Sequence, residues 1–333
     1  MTVTIIIPVF NVTSYIERCL DSVLKQDYRP LECILVDDAS PDDSMTKVKA
    51  LLSGYKGSIA FKMVRHETNK GLSAARNSGI LESTGEYLFF LDGDDALMEF
   101  SIGHLTNLAN RLGNPDIVQG STIITGEKNG SDRYQIKKAL PELTTNQVWI
   151  RKNMLERKKI PVTAWNKLIR RDFIVKNQLF FKEGVWHEDQ HWTFYAASKI
   201  QSMAFCRRPS YQHFITSGSI MTTSGQRSIE SWFILLDDFI VHKGLESRLE
   251  RKTILELLFC QLVRILGKDA SMIQPNLNRL QSMAEVCRKS SLKRQHWMEI
   301  MLLWCYRWPL TRMQVFRYRW VRAIYFRMLR WFA

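Results

Sequence analysis

The chain has 333 residues, of which 45% are hydrophobic and 24% charged, the composition of a globular protein with a sizeable core. Its length exceeds that of an average domain, so a core domain with an appendage is expected. The formal net charge of +14 is unevenly spread, because residues 127–333 hold 36 of the 47 basic residues and 17 of the 33 acidic ones.

Cysteine spacing and hydropathy exclude several protein classes. The six cysteines are scattered without a Cys-x-x-Cys pair, which favours buried thiols in a reducing compartment over a disulfide framework or a zinc site. The first residues carry no basic leader, so no secretory signal is expected. No run of about 18 apolar residues occurs, so no transmembrane helix is expected. We therefore predict a cytoplasmic protein or one that lies on the inner surface of the cell membrane.

The first 91 residues alternate between predicted strands and predicted helices. The predicted strands cover residues 3–9, 31–36, 60–64 and 87–91, and two of the predicted helices cover residues 15–26 and 72–83. A further helix is predicted to start at Ser40, as the N-cap, with Asp43 closing a capping box. This alternation predicts right-handed crossovers and a mostly parallel sheet, whose ligands bind beyond the carboxyl ends of the strands.

Acidic residues follow two of these strands. Asp37 and Asp38 follow the second strand, and Asp92, Asp94 and Asp95 follow the fourth. Carboxylate oxygens at the end of a buried strand suit Mg²⁺ or Mn²⁺, which commonly bridge a carboxylate and a substrate diphosphate. The alternative is a turn in which Asp95 caps the next helix, predicted over residues 97–112. Because the strand ends share one edge of the sheet, we favour a metal and ligand site. No Gly-x-Gly-x-x-Gly follows the first strand, which argues against a dinucleotide-binding domain.

Five segments of the first 95 residues form a set. They are Ile-Ile-Pro-Val-Phe-Asn (6–11), Ser-Val-Leu-Lys-Gln (22–26), Val-Asp-Asp-Ala-Ser (36–40), Asn-Lys-Gly-Leu-Ser-Ala-Ala-Arg-Asn (69–77) and Leu-Asp-Gly-Asp-Asp (91–95). In order and spacing the set resembles inverting family 2 glycosyltransferases of the α/β GT-A fold, such as those of bacterial cell-surface polysaccharides. The resemblance implies a catalytic domain over residues 1–222, with a nucleotide-sugar half (1–125) and an acceptor half (126–222). A helical region, 223–333, would follow it.

The same resemblance implies roles for residues of the nucleotide-sugar half. The residues that would bind the nucleotide sugar are Pro8, Phe10, Asp37, Asp38, Asn69, Lys70, Gly71, Arg76, Asp92 and Gly93. Pro8 and Phe10 would line the base pocket, and Asp38 would accept a hydrogen bond from a uracil ring. Asp94, with Asp92, would coordinate Mn²⁺ or Mg²⁺.

The acceptor half carries two more segments of the family, Trp-Asn-Lys-Leu (165–168) and Glu-Asp (188–189). In inverting members the aspartate of Glu-Asp is the catalytic base, which here is Asp189. Direct displacement at the anomeric carbon needs such a carboxylate to take the hydroxyl proton; the alternative is an acid-rich helix N-terminus. For Arg76 a phosphate contact and a surface ion pair both stay open. For His213, in the family-like segment 211–221, a metal or phosphate contact competes with a packing role.

A zinc peptidase is the rival interpretation of the acceptor half. His187 to His191 matches His-Glu-x-x-His, in which two histidines bind zinc. The pattern fixes only three positions, whereas the family segments extend over two hundred residues. We therefore reject the peptidase.

The C-terminal region is predicted to be helical over residues 231–242, 254–266 and 295–305. After Glu299 there is no further acid but seven arginines: Arg307, Arg312, Arg317, Arg319, Arg322, Arg327 and Arg330. On a helix, one apolar stripe would be formed by Val321, Ile324, Tyr325, Met328, Leu329 and Phe332. Arg312, Arg319, Arg322 and Arg330 would lie on the other side, and Arg317 on the apolar face. The pattern is typical of a basic amphipathic helix in an anionic membrane interface. A helix packed on its own domain and a nucleic-acid-binding arm are the alternatives; we expect no nucleic acid.

The sequence as a whole predicts an inverting, metal-dependent glycosyltransferase. A UDP-sugar is the expected donor, and a glycan or lipid-linked acceptor in cell-surface polysaccharide synthesis is expected to receive one sugar. Processive members of the family carry a Gln-x-x-Arg-Trp motif and membrane spans. Here the nearest segment is Gln-Val-Phe-Arg-Tyr (314–318), and no membrane spans are expected. The alternative is an inactive GT-A scaffold that binds membrane or nucleic acid. The oligomeric state is not specified.

Overall fold

The computed structural model describes residues 1–126, 134–156, 159–215, 225–242, 247–266 and 270–293. The chain divides into two compact units, Met1–Thr223 and Ser224–Ala333. The helix predicted over residues 295–305 and the basic amphipathic helix lie outside the described residues.

Strands of the described residues form one nine-stranded sheet. They are β1 (Val3–Val9), β2 (Leu31–Asp37), β3 (Ala60–Arg65), β4 (Tyr87–Phe90), β5 (Ala96–Leu97), β6 (Ile117–Thr125), β7 (Leu143–Thr144), β8 (Lys167–Arg170) and β9 (Met203–Phe214). Their order is β3-β2-β1-β4-β8-β6-β9-β5, with β7 on β9. β1 to β4 are parallel, as are β6 and β9, whereas β8 runs antiparallel between β4 and β6. The predicted mostly parallel sheet is confirmed, and the ends of β1, β2, β4 and β9 share an edge with the start of β8.

Helices flank this sheet and build the second unit. In the first unit they are α1 (Ile16–Leu24), α2 (Ser44–Ser53), α3 (Leu72–Glu82), α4 (Ser101–Arg111), α5 (Gln147–Leu155), α6 (Arg171–Lys176) and α7 (Glu188–Ala196). In the second they are α8 (Gln226–His242), α9 (Arg248–Leu266) and α10 (Ala270–Lys293), which pack on one another. The predicted helices at 231–242 and 254–266 are found with earlier starts, and α10 was not predicted.

Close packing of α3 on the sheet sets the position of the site. Every residue of β1 is buried, as expected of a parallel strand covered by helices on both faces. Gly79 of α3 lies against this strand, where an added Cβ would be 2.3 Å from Ile6 Cγ2. A glycine therefore lets α3 approach β1 closely, and the helix begins at the edge where β1 ends.

The predicted starts of two helices are wrong. α2 begins at Ser44 rather than near Ser40, because Asp42 accepts hydrogen bonds from the Ser44 N–H (3.1 Å) and from the Ser40 and Ser44 hydroxyls (2.6 Å each). These bonds stabilise a turn in place of a helical one. α4 begins at Ser101 rather than at residue 97, because Ala96–Leu97 pairs with β9 as a short strand.

Candidate active site

Asp38, which directly follows β2, fixes the loop that opens α3. Its carboxylate accepts hydrogen bonds from the backbone N–H groups of Lys70 (2.8 Å) and Gly71 (2.7 Å). His66 Nδ1 lies 2.7 Å from the same carboxylate, and the other ring nitrogen lies 2.8 Å from Ser78 Oγ. Gly71 has a φ of +91°, which favours glycine. Asp38 is therefore a buried anchor of this loop, and its contact with a uracil ring stays a prediction.

Other residues predicted to bind the nucleotide sugar differ in exposure. Pro8 is buried in β1, whereas Phe10, just beyond the strand, is 42% exposed. Asp37 is buried and accepts a hydrogen bond from the Ser40 N–H (2.8 Å), so its carboxylate shapes the loop after β2. Asn69 is exposed at the start of the loop that Asp38 anchors. An exposed aromatic ring suits stacking on a nucleotide base, so Phe10 is best placed for that contact.

The loop after β4 is held by the end of β9. The Tyr211 hydroxyl accepts a hydrogen bond from the Asp92 N–H (3.2 Å) and donates one to the Asp95 carboxylate (2.8 Å). Asp95 also accepts a bond from the Phe214 N–H (2.9 Å), and His213 Nδ1 lies 3.0 Å away. Burial raises the pKa of Asp95, and the contact with His213 opposes that rise. The predicted helix cap at Asp95 is wrong, because its carboxylate joins β9 to this loop.

His213 lies in an aromatic stack. Its ring is 5.4 Å from that of Trp165 at an interplanar angle of 14°, and Trp165 stacks on Tyr211 at 4.8 Å. Burial disfavours the charged ring, but the Asp95 carboxylate raises the pKa of His213 above its ordinary value. These contacts favour the packing role over the metal contact.

Asp92 and Asp94 lie partly exposed on either side of a tight turn. A Cβ at Gly93 would be 3.0 Å from the Pro8 carbonyl oxygen, so this turn packs closely on β1. Arg18 of α1 donates a hydrogen bond to the backbone oxygen of Asp94. The turn is thus tied to two neighbouring elements, while both carboxylates stay at the sheet edge.

The chemistry of these two carboxylates fits a divalent metal. Mg²⁺ is usually held by one or two carboxylates together with substrate phosphates and water. Within the part of the chain that the structure describes, no three His, Cys, Asp or Glu side chains converge as a complete ligand set. Asp92 and Asp94 would supply such carboxylates, and substrate oxygens would complete the shell.

Arg76 of α3 is the centre of the site. Its Nη2 donates a hydrogen bond to Asp92 Oδ1 (2.9 Å), and its Nη1 donates to Glu188 Oε1 (2.8 Å) and Asp189 Oδ1 (3.1 Å). The side chain is 1% exposed. Burial alone would lower the pKa of Arg76, but the three carboxylates raise it. Of the two alternatives left open for Arg76, the surface ion pair is excluded, since Arg76 is a buried bridge between the loop after β4 and the start of α7. The phosphate contact stays a prediction.

Glu188 and Asp189 form the first turn of α7. Their side chains are 12% and 19% exposed, and His187 before them has a left-handed φ of +66°. Burial and the charge of Asp189 raise the pKa of Glu188 to about 7, against the opposing charge of Arg76. Burial also raises the pKa of Asp189, and Arg76 again opposes the rise. A carboxylate with a raised pKa is a stronger base, which suits proton removal.

The Trp165–Leu168 segment is held by a buried polar network. Asn166 adopts a φ of +57°, and its amide donates hydrogen bonds to the Ser121 carbonyl (3.0 Å) and to Thr122 Oγ1 (2.8 Å). Ser210 Oγ donates to the Asn166 side-chain oxygen (2.7 Å). Lys167, the next residue, is fully buried. The network lies beside the Trp165 stack and therefore fixes the segment at this edge of the sheet.

Sequence reasoning missed the structural roles of Arg76, Tyr211 and Lys167. For Arg76 the helical spacing could have indicated burial, because it shares the buried face of α3 with Gly79 and Ile80. A charged side chain on such a face is rarely buried without a partner. Tyr211 offered no comparable signal, since its partners after β4 are more than a hundred residues away in sequence.

The family described as "Glycosyl transferase family 2" matches residues 4–177. Among curated proteins, the glycosyltransferase EpsJ of Bacillus subtilis is 35% identical over 191 residues, covering 55% of this chain and 52% of the relative. YibD of Escherichia coli, also described as a glycosyltransferase, is 28% identical over 225 residues, covering 65% and 62%. The chain thus spans between half and two thirds of the length of these relatives.

Solved structures show the same fold. TarS residues 1–349 of S. aureus, in complex with UDP-GlcNAc, has a TM-score of 0.70 at 20% identity, covering 88% of this chain and 83% of that one. GalNAc-T7 with UDP, GalNAc and Mn²⁺ has a TM-score of 0.53 at 14% identity, covering 74% and 49%. The predicted GT-A fold is confirmed. The family match covers more than half of the chain, so this protein belongs to glycosyl transferase family 2.

Proposed function

We propose that this chain is an inverting glycosyltransferase that moves one sugar from a UDP-sugar to a glycan or lipid-linked acceptor. The observation that carries the proposal is the bridge made by Arg76. This side chain bonds Asp92, in the loop expected to face the donor, and Asp189, the expected base. A single buried guanidinium thus ties the two halves of a transfer site together.

The donor side would hold the nucleotide sugar across the loops after β1, β2 and β4. Phe10 would offer a ring for the base, and the loop anchored by Asp38 would lie beside the diphosphate. Asp92 and Asp94 would hold a Mg²⁺ or Mn²⁺ ion, which when bound neutralises charge on the leaving diphosphate. TarS, which shares the fold, was solved with UDP-GlcNAc and with UDP. This likeness supports a UDP-sugar donor.

The acceptor side would remove a proton. In the proposed step, the acceptor hydroxyl oxygen bonds to the anomeric carbon from the face opposite the leaving group. The bond from that carbon to the diphosphate breaks, UDP departs with the electron pair, and the hydroxyl proton passes to the Asp189 carboxylate. A single displacement of this kind inverts the configuration at the anomeric carbon.

The acceptor class is inferred from the relatives and from the basic C-terminal segment. Several relatives are described only as glycosyltransferases, and one, from Borreliella burgdorferi, is described as a cholesterol galactosyltransferase (30% identical, 66% of this chain, 62% of the relative). No helix in the described ranges is long and apolar enough to cross a membrane. We propose an acceptor at a membrane surface, reached through the basic C-terminal segment, in cell-surface polysaccharide synthesis.

Titration with UDP in the presence and absence of Mn²⁺ tests the donor half of this proposal. We expect metal-dependent binding by calorimetry, lost in Asp94→Ala. A panel of nucleotide sugars would then identify the donor, because the enzyme cleaves UDP from it. We expect Asp189→Asn to bind UDP as tightly as the wild type but to form UDP from the donor far more slowly. A chain that binds no UDP and releases none from any donor would be an inactive scaffold, which contradicts the proposal. Extension of an acceptor into long polymer would contradict the addition of a single sugar.

A further inference from the structure

The most informative group outside the proposed transfer chemistry is the buried lysine at the start of β8. Lys167 is 0% exposed. Its Nζ donates hydrogen bonds to the backbone carbonyls of Pro161 (3.0 Å) and Thr163. Residues 161–164, named here the base loop, therefore fold around one ammonium group.

The opposite side of the base loop contacts α7, the helix that carries the expected base. The Thr193 hydroxyl of α7 donates a hydrogen bond to the Val162 carbonyl (3.1 Å). Thr193 lies four residues, about one helical turn, after Asp189 in α7. The Val162 carbonyl lies between the two carbonyls that Lys167 binds, those of Pro161 and Thr163. The loop is therefore held between Lys167 on one side and α7 on the other.

We infer that Lys167 is a positioning residue for Asp189: it holds the base loop against α7, the helix whose first turn carries Asp189. The inference rests on the proposed function, in which Asp189 takes the acceptor proton. Misplacing a reacting group by about 1 Å can lower a rate about 100-fold, so a residue that never touches substrate can control the rate.

Simple packing is the competing role for Lys167. An apolar side chain of similar length would fill the same space without the cost of burying an ammonium group. Burial lowers the pKa of Lys167 to about 7, and the charge of Asp189 opposes this. The charged groups that act on the Asp189 carboxylate are the Arg76 guanidinium, the Asp92 carboxylate and the Lys167 ammonium, with Glu188 beside it. Lys167 is thus linked to the base both by charge and through the loop.

Lys167→Met separates positioning from packing, because it keeps the length and apolar stem of the side chain and removes the donors. We expect kcat for UDP release to fall about 10- to 100-fold, with KM for the nucleotide sugar and the affinity for UDP unchanged. Loss of the nearby positive charge raises the pKa of Asp189, so the acid limb of the pH profile of kcat moves to higher pH. The matched control is Lys176→Met, at an exposed position on α6, which should change none of these quantities.

Two further measurements keep the inference testable if activity or folding is lost. Carboxyl NMR titration of Asp189 follows its pKa without any turnover; a higher pKa in Lys167→Met than in the wild type supports the inference, and an equal pKa overturns it. Thr193→Val removes the α7 contact with little change in shape, and it decides the matter if Lys167→Met does not fold. We expect Thr193→Val to lower kcat at unchanged UDP affinity.

The outcomes for the inference and for the proposed function differ. An unchanged kcat and pH profile in both variants, or a loss of UDP affinity that parallels the loss of kcat, would overturn the positioning role. Failure of the wild-type chain to release UDP from any nucleotide sugar would overturn the proposed function, and the NMR titration would still decide whether Lys167 controls Asp189.

Discussion

At the scale of single residues, one guanidinium faces three carboxylates. Arg76 bonds Asp92, Glu188 and Asp189, so its positive charge compensates only one of the three negative charges. In a buried place such an imbalance favours proton binding by one of the acids. This explains why the pKa of Glu188 lies near 7 although an arginine lies 2.8 Å away.

This raised pKa predicts a specific dependence of stability on pH. The folded state holds the Glu188 proton up to about pH 7, whereas the unfolded chain releases it near its ordinary pKa of about 4.3. Between these values the folded state binds more protons, so stability falls as pH rises through this window. We expect Glu188→Gln, which cannot titrate, to show a flatter decline of Tm between pH 5 and pH 8 than the wild type.

The comparison of Tm profiles isolates Glu188 because the other titrating groups are common to both proteins. Lys167 acts in a different window: its lowered pKa makes stability rise with pH above about 7. Parallel profiles for Glu188→Gln and the wild type would show that Glu188 does not hold a proton in the folded chain.

The acids of this cluster could be predicted from sequence, but their partner could not. Asp92 and Asp94 follow an apolar strand, and Asp189 lies in a recognisable Glu-Asp pair, so local patterns identified them. The link from Arg76 to Asp189 crosses 113 residues, and it depends on how α3 and α7 meet at the sheet edge. The periodicity of residues within one helix does not indicate which other helix it will contact.

At the scale of elements, the position of Arg76 depends on the packing of α3 against β1. Gly79 lies one turn after Arg76, and an added Cβ would be 2.3 Å from Cγ2 and 3.1 Å from Cγ1 of Ile6. Ile6 is fully buried and branched at Cβ, so it has little freedom to move aside.

We expect Gly79→Ala to lower the free energy of unfolding by about 1 kcal/mol, because overpacking costs about 1–3 kcal/mol and the gain in helix propensity offsets roughly 1 kcal/mol. Urea unfolding followed by circular dichroism measures the change. Gly54→Ala is the matched control: Gly54 follows α2 with a φ of −95° and has nothing within 4 Å of the added Cβ. A Gly79→Ala protein as stable as the wild type would mean that α3 does not need this close contact.

Errors in the predicted elements have a common physical cause. The predicted starts of α2 and α4 were early because neighbouring side chains or strands offered the backbone other hydrogen bonds, from Asp42 in one case and β9 in the other. The interior of α10 was overlooked although Leu277, Leu280 and Ala284 are buried on one face. Its many polar residues conceal this spacing. Strand identity was easier to predict, because long apolar runs between turns leave fewer alternatives.

At the scale of the whole molecule, charge divides the chain. Residues 1–126 hold 16 acidic and 11 basic residues, whereas residues 300–333 hold seven arginines and no acidic residue. The arginines after residue 299 lie outside the described residues, and their sequence pattern alone supports a membrane-surface role.

This proposal predicts electrostatic binding of the full chain to anionic vesicles. Each basic residue near an anionic surface contributes about 1 kcal/mol, so replacing Arg312, Arg319, Arg322 and Arg330 by Gln should weaken binding by at least about tenfold, with screening taken into account. Co-sedimentation with vesicles that contain phosphatidylglycerol measures the partition. Binding should also fall with added salt and be weak on purely zwitterionic vesicles.

The matched control removes the same number of charges from the first unit. Lys49, Lys56, Lys138 and Lys199 are exposed there, and their replacement by Gln lowers the net charge equally. If the basic segment binds the membrane, this control keeps most of the affinity that the arginine variant loses. Equal losses in both variants would mean that net charge alone drives binding, and equal retention would mean that the C-terminal arginines do not contact the membrane. Either result would contradict the proposed membrane segment while leaving the transfer site unaffected.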